Sequence, residues 1–124
     1  MITGIDHVQL AMPAGQEQRA REFYAGALGL TEVPKPPHLA ARGGVWFENA
    51  GAKIHLGVDQ DFRPARKAHP GLLVTDLRGL IDALRRAGYE VRDGEPLAGY
   101  VHAYVEDPFG NRLELMQHAD GRGD

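Results

Sequence analysis

Apolar positions along this chain switch between two periods. From Ile5 to Met12 they alternate, which reads as a strand with Val8, Leu10 and Met12 on one face and His7 and Gln9 on the other. Pro13 and Gly15 close that run. From Gln16 to Leu28 the spacing becomes three and four, so Ala20, Phe23, Tyr24, Ala27 and Leu28 form one helical stripe, stopped by Gly29. Thr31 to Val33 is a short strand. Pro34, Pro36 and Pro37 then break the pattern, and Lys35 to Arg42 reads as an exposed loop. Gly44 to Glu48 and Ala52 to Val58 form a hairpin around Asn49-Ala50-Gly51. Val45, Phe47, Ile54, Leu56 and Val58 take one side of it; Trp46, Lys53, His55 and Gly57 take the other.

The same order then returns. Asp59 to Lys67 is a polar connection, and His69 to Val74 is a second opening strand with Leu72 and Val74 as core positions. Thr75 or Asp76 caps a helix whose stripe is Leu77, Leu80, Ile81 and Leu84, and Gly88 ends it. Tyr89 to Arg92 is a short strand. Tyr100 to Val105 alternates, with Val101, Ala103 and Val105 on one face and Tyr100, His102 and Tyr104 on the other. Asp107-Pro108-Phe109-Gly110-Asn111 is a dense turn signal before the last strand, Arg112 to Gln117. His7 and His69 lie about sixty residues apart, as do His55 and Glu114. Each half is strand, helix and three strands: a first module over 1–58, a linker over 59–67, a second module over 68–118 and a flexible tail over 119–124.

Composition narrows the chemistry. The 124 residues amount to one domain or two half-domains. With no cysteine, disulfides, thiolate metal sites and thiol nucleophiles are excluded, so a metal would rest on imidazole and carboxylate. Fourteen basic and seventeen acidic residues are well mixed, for a formal charge of −3, and no basic stripe points to nucleic acid. No apolar run approaches the roughly 20 residues of a membrane span, and no secretory signal opens the chain. The expectation is a cytoplasmic protein acting on a small molecule, without membrane or nucleic-acid partners. Opposite the helical stripes, one sheet face collects His7, Gln9, Trp46, His55, His69, His102, Tyr104 and Glu114. That is the composition of a cavity lining. A lone strand histidine is more often a packed or surface residue than a ligand; competent residues at four repeat-related corners shift the balance toward a divalent metal.

The segments Asp6-His7-Val8, Phe23-Tyr24, Leu28-Gly29-Leu30, His69 through Asp76-Leu77, and above all Asp107-Pro108-Phe109-Gly110-Asn111-Arg112-Leu113-Glu114-Leu115, resemble the vicinal oxygen chelate superfamily of glyoxalases, bleomycin-binding proteins and extradiol dioxygenases. The resemblance runs from Ile2 to about Gln117. It implies an α+β fold of two tandem βαβββ modules, their mixed sheet curled into a U-shaped cleft with helices outside. It also implies ligands from the first and last strands of each module, which are His7, His55, His69 and Glu114 here. At His55 the glyoxalase I pattern has a carboxylate, so this chain departs from it.

The reading that follows is a small metal-dependent enzyme of glyoxalase or dioxygenase type. An Fe, Mn, Ni or Zn ion would be chelated by adjacent oxygens of a small substrate. Glu114 is the candidate catalytic base. Gln9, Trp46, Tyr100, His102 and Tyr104 are candidate substrate contacts. The alternative is a metal-free binding or sequestration protein for a drug or aromatic metabolite, walled by Trp46, Tyr100 and Tyr104. Exposed sheet edges favour a homodimer.

Overall fold

The computed structural model describes residues 1–120. The chain divides into two compact units, one spanning Met1–Pro64 and the other beginning at Ala65. In the first, β1 (Val8–Met12) leads into α1 (Glu17–Ala20), which runs on as a π-helix over Arg21–Ala27. Then come β2 (Thr31–Val33), α2 (Pro37–Ala40), β3 (Val45–Glu48) and β4 (Lys53–Val58). The second unit holds β5 (Gly71–Leu73), α3 (Leu77–Arg86), β6 (Val91–Asp93), β7 (Tyr100–Glu106) and β8 (Arg112–His118). The sheet orders are β1-β4-β3-β2 and β5-β8-β7-β6, so both halves carry one topology. In each, the opening strand pairs parallel with the closing one and the other neighbours pair antiparallel. This is the expected α+β arrangement of two βαβββ modules with open mixed sheets. No helix among the described residues is long and apolar enough to cross a membrane.

Alternation places most of the core where the pattern predicts it, while Val8, Val58, Leu72, Val74 and Leu80 are half-buried. In the first unit Leu10, Met12, Val45, Phe47, Ile54 and Leu56 are buried under Ala20, Phe23 and Tyr24. The Tyr24 ring stacks on Phe47 at 5.4 Å, and Phe23 meets Tyr24 edge-on at 5.0 Å. Each such side chain contributes roughly 1.5–3 kcal/mol by leaving water. The helix is wider than its sequence spacing implies: Leu28 N–H donates to the Phe23 carbonyl five residues back, at 2.9 Å. More residues per turn bring consecutive side chains closer in angle, and the adjacent Phe23 and Tyr24 are both fully buried. Gly29, at φ 79°, ends it, as Gly88, at φ 94°, ends α3.

In the second unit α3 is capped by Asp76, whose side chain accepts from Gly79 N at 3.0 Å. Leu77, Ile81 and Leu84 are buried, as are Ala103, Val105, Leu113 and Leu115 on the sheet. Val101 shares their face but stays 50 % exposed. It stands at the rim of a cavity of about 380 Å³ lined also by Leu77, Ile81, Leu97 and Tyr100.

Several elements start or end elsewhere than the pattern implies. β1 begins at Val8, not Ile5, because its partner β4 begins at Lys53 and the ladder runs out beyond Val8 paired with Ile54; Ile5 is left 85 % exposed. The loop after β2 contains a turn of helix opened by Pro37, whose fixed φ suits a first helical position. β5 is only Gly71–Leu73, since Pro70 has no N–H and joins the ladder through its carbonyl alone, accepting from Glu114 N at 3.1 Å. At the expected flexible tail, Ala119 N–H donates to the Gly99 carbonyl at 2.9 Å, and 121–124 lie outside the described residues.

The turn before β8 is a buried polar knot. Phe109 N and Asn111 N both donate to Asp107 Oδ1 at 2.9 Å, and Asn111 Nδ2 donates to Asp107 Oδ2 at 2.9 Å. Asn111 Oδ1 accepts from Ala65 N at 2.9 Å, while Arg112 N donates to the Ala65 carbonyl at 2.8 Å. The turn sets the register of β7 on β8 and ties both to the start of the second unit. Asn111→Ala deletes the hydrogen bonds to Ala65 N and to Asp107 Oδ2, worth about 0.5–1.5 kcal/mol for the neutral pair and about 1.5–3 kcal/mol for the charged one. Urea unfolding should therefore show a loss of about 2–4 kcal/mol; a loss under 0.5 kcal/mol would mean the knot is ornamental.

Candidate functional site

Each module brings its own expected pair of donors together. In the second unit Glu114 lies on β8 opposite Gly71 of β5 and Tyr104 of β7. His69 Nδ1 lies 2.8 Å from the Lys67 carbonyl and His69 Nε2 lies 3.0 Å from Glu114 Oε1. A carbonyl only accepts, so Nδ1 carries hydrogen and Nε2 is the atom offered to the carboxylate. A lone pair on Nε2 facing a carboxylate oxygen is favourable only with a cation between them, either a proton or a metal ion. The donor types, the fixed tautomer and the 3.0 Å approach all fit a divalent ion held by imidazole and carboxylate.

Glu114 has a second partner. His102 Nδ1 donates to Glu114 Oε2 at 2.7 Å, and His102 Nε2 donates to the Glu95 carbonyl at 2.5 Å. Burial pushes the Glu114 carboxyl up, but hydrogen bonds from His102 and then His69, with their charges, outweigh it and hold the group below its ordinary range. His102 moves the other way. Its hydrogen bond to the Glu95 carbonyl raises it, against the desolvation of its ring, and Glu114 adds to the rise. Tyr104 meets both rings edge-on, His69 at 5.8 Å and His102 at 5.5 Å, and carries the Arg112 guanidinium over its face at 4.2 Å.

The first unit packs its pair differently. His7 lies just before β1 and stacks on His55 of β4, centroids 4.4 Å apart and planes 19° apart. Trp46 of β3 covers the other face of His55 at 4.0 Å and 4°. His55 is therefore buried, 4 % exposed, with Nε2 3.0 Å from Glu48 Oε2. His7 stays half-exposed and donates from Nδ1 to Asp6 Oδ2 at 2.9 Å, which leaves Nε2 available. That hydrogen bond, then the Lys53 ammonium, holds the Asp6 carboxyl below its usual range. An imidazole binds a metal in its own ring plane, about 2.1 Å from the nitrogen. Two face-stacked, near-parallel rings share no such point, so His7 or His55 must leave the stack before both can bind one ion. Among the described residues no three His, Asp or Glu side chains are posed as a finished metal site.

The expected substrate contacts divide. Gln9 pairs with His55 in register and lies over Gly57, where a Cβ would come within 2.5 Å of its amide nitrogen. Trp46 is engaged by His55. Tyr104 is beside Glu114, whereas Tyr100 stands at the other end of β7, opposite His118, and its ring tilts against that imidazole at 5.0 Å. Glu48, Asp6, Arg112 and the Gly94-Glu95 turn are the neighbours that sequence reading passed over. Glu48 had a signal, since it shares a strand face with Trp46 two residues earlier. The Glu95 carbonyl had none.

Comparison with known proteins agrees with this architecture. A family model described as the Glyoxalase/Bleomycin resistance protein/Dioxygenase superfamily matches residues 4–115. A lactoylglutathione lyase of Escherichia coli O157:H7 is 33% identical over 122 residues, covering 88% of this chain and 90% of that protein. A crystal structure of a glyoxalase-family protein from Bacillus anthracis is 45% identical, with a TM-score of 0.91 over 95% of this chain and 97% of the other. A genomically encoded fosfomycin resistance protein from Listeria monocytogenes shares the fold, with a TM-score of 0.77 at 15% identity over 96% of each chain.

The two shifted groups give opposite pH slopes in the metal-free protein. Glu114, held below its ordinary 4.5, stabilises the fold above that pH and loses its contribution as pH falls through the lowered value. His102, raised above 6.5, stabilises fully below that pH and loses its contribution as pH rises through the raised value. Their joint contribution is greatest between 4.5 and 6.5. Urea midpoints measured with chelator present should fall from pH 6 to pH 8, and His102→Asn should shrink that fall. An unchanged slope in the variant would reject the assignment.

Proposed function

The chain belongs to the Glyoxalase/Bleomycin resistance protein/Dioxygenase superfamily, and on that footing we propose that it is a divalent-metal-dependent enzyme acting on a small substrate with two adjacent oxygens. The carrying observation is the His69 Nε2 to Glu114 Oε1 approach of 3.0 Å, with Nδ1 already committed to the Lys67 carbonyl. The donors proposed are His7, His55, His69 and Glu114. A bound ion of Fe, Mn, Ni or Zn supplies Lewis acidity toward the charge that develops on the substrate oxygens.

The remaining work falls to the chain's own groups. His69 and His7 each present Nε2, their tautomers fixed by hydrogen bonds from Nδ1 to Lys67 O and Asp6 Oδ2. With Oε2 held by His102, Glu114 Oε1 is the oxygen left to ligate the ion or to accept a proton, one role at a time. Trp46 and Tyr104 remain the proposed apolar contacts to substrate, each by the faces its neighbours leave open. The stacked pose of His55 makes it the donor whose membership most needs testing.

Elemental analysis of protein grown with added metals is the test. Wild type should carry close to one equivalent, and His7→Ala, His69→Ala and Glu114→Ala should each weaken binding at least tenfold. His55→Ala at wild-type affinity would remove it from the donor set. A wild type that stays metal-free yet binds flat aromatic ligands would favour a sequestration role instead. A homodimer accompanies this reading, and a monomeric mass by light scattering would reject it.

A further inference from the structure

The His102 ring is engaged at every polar atom. Nδ1 donates to Glu114 Oε2 at 2.7 Å and Nε2 to the Glu95 carbonyl at 2.5 Å. The side chain is 8 % exposed. Tyr104 abuts it edge-on at 5.5 Å. On its remaining side lies the backbone of Gly94, whose N–H donates to the His102 carbonyl at 3.0 Å. A Cβ on Gly94 would stand 2.4 Å from His102 Nε2, so the ring occupies space that only glycine leaves open there. A histidine so engaged has no free nitrogen to offer a substrate.

What it does instead follows from how Glu114 is divided. One carboxylate oxygen faces His69 Nε2 at 3.0 Å; the other belongs to His102. We infer that His102 is a positioning residue that reserves Glu114 Oε2 and so presents Glu114 to the metal through Oε1 alone. This rests on the metal-dependent reading above and assigns His102 to the ligand's orientation rather than to the substrate. A glutamate without such a clamp turns about its terminal torsions and binds an ion through one oxygen or both. With Oε2 held, one oxygen is presented in one direction, and a coordination position stays open for a substrate oxygen. The Gly94-Glu95 turn is part of the same device, because it supplies both the space and the carbonyl that set the ring.

The test compares variants of the purified full chain titrated with Mn²⁺ and Co²⁺ at pH 7.5. His102→Leu keeps the bulk and removes the donor. His102→Asn restores an N–H near the position of Nδ1. Gly94→Ala pushes on the ring without touching its chemistry, and serves if His102→Leu does not fold. His102→Leu and Gly94→Ala should weaken metal binding by about 10–100-fold, the usual cost of losing a partner that orients a ligand. They should also dim the visible Co²⁺ band as Glu114 becomes free to bind through both oxygens. His102→Asn should return to within about threefold of wild type, which a merely space-filling role for the ring would not produce. Wild-type affinity and an unchanged Co²⁺ spectrum in both His102→Leu and Gly94→Ala would overturn the inference and leave the metal reading intact. A wild type that binds neither ion would overturn the metal reading, and the inference with it.

Discussion

A carboxylate on a sheet face, withdrawn from most of its water, has to find donors, and Glu114 finds two imidazoles. Its side chain is 12 % exposed, and each of its oxygens lies within 3.0 Å of a different ring. An unpaired charge there costs several kcal/mol. Meeting that demand depends on backbone elements far apart in sequence. Parallel pairing of β5 with β8 brings His69 to one oxygen; antiparallel pairing of β7 with β8 brings His102 to the other. A slip of β8 by one residue would turn Glu114 into the helix-packed core and bring Leu113 or Leu115 out. The buried Asp107–Asn111 knot lies just ahead of this strand, and by fixing the turn it fixes which atoms Glu114 meets.

The strands and their faces were legible because alternation and helical spacing are local, and most of the core lies on those faces, though Val8, Val58, Leu72, Val74 and Leu80 are only half-buried and Val101 is exposed. What escaped the pattern has local physical causes that periodicity does not encode. A partner strand that starts late leaves Ile5 bare. Pro37 opens a short helix where a loop is expected, and a bond from Leu28 to Phe23 widens the first helix. The four corner residues were legible from the repeat, since equivalent positions in a copied unit occupy equivalent places in its sheet. Their neighbours were less so. Glu48 could have been read from the face it shares with Trp46, whereas the sharing of Glu114 between two rings depends on side-chain torsions and on a backbone carbonyl at Glu95.

The two modules keep one topology but settle their polar corners by different physics. In the first, the closing strand carries His55, an imidazole that can be buried by stacking, and it lies between Trp46 and His7. In the second, the closing strand carries a carboxylate, which no stack can satisfy, and charged hydrogen bonds take over. Where the glyoxalase I pattern has a carboxylate at position 55, one is still 3.0 Å from the ring here, contributed by Glu48 of β3 instead of by β4. The acid has a place in the first module too, but as the partner of His55 and not at the His55 position.

That difference bears on what Glu114, the acid of the proposed donor set, can do. If Glu114 Oε2 is committed to His102, ligation and proton transfer compete for the single oxygen Oε1. A glutamate free to swing can hold an ion with one oxygen and take a proton with the other. Glu114 in this arrangement does them in turn or does only one. A substrate whose reaction needs a base while the metal stays fully ligated would therefore require an acceptor other than Glu114. Reactions that ask of the metal only charge stabilisation, with the proton carried by substrate or water, place no such demand on the site.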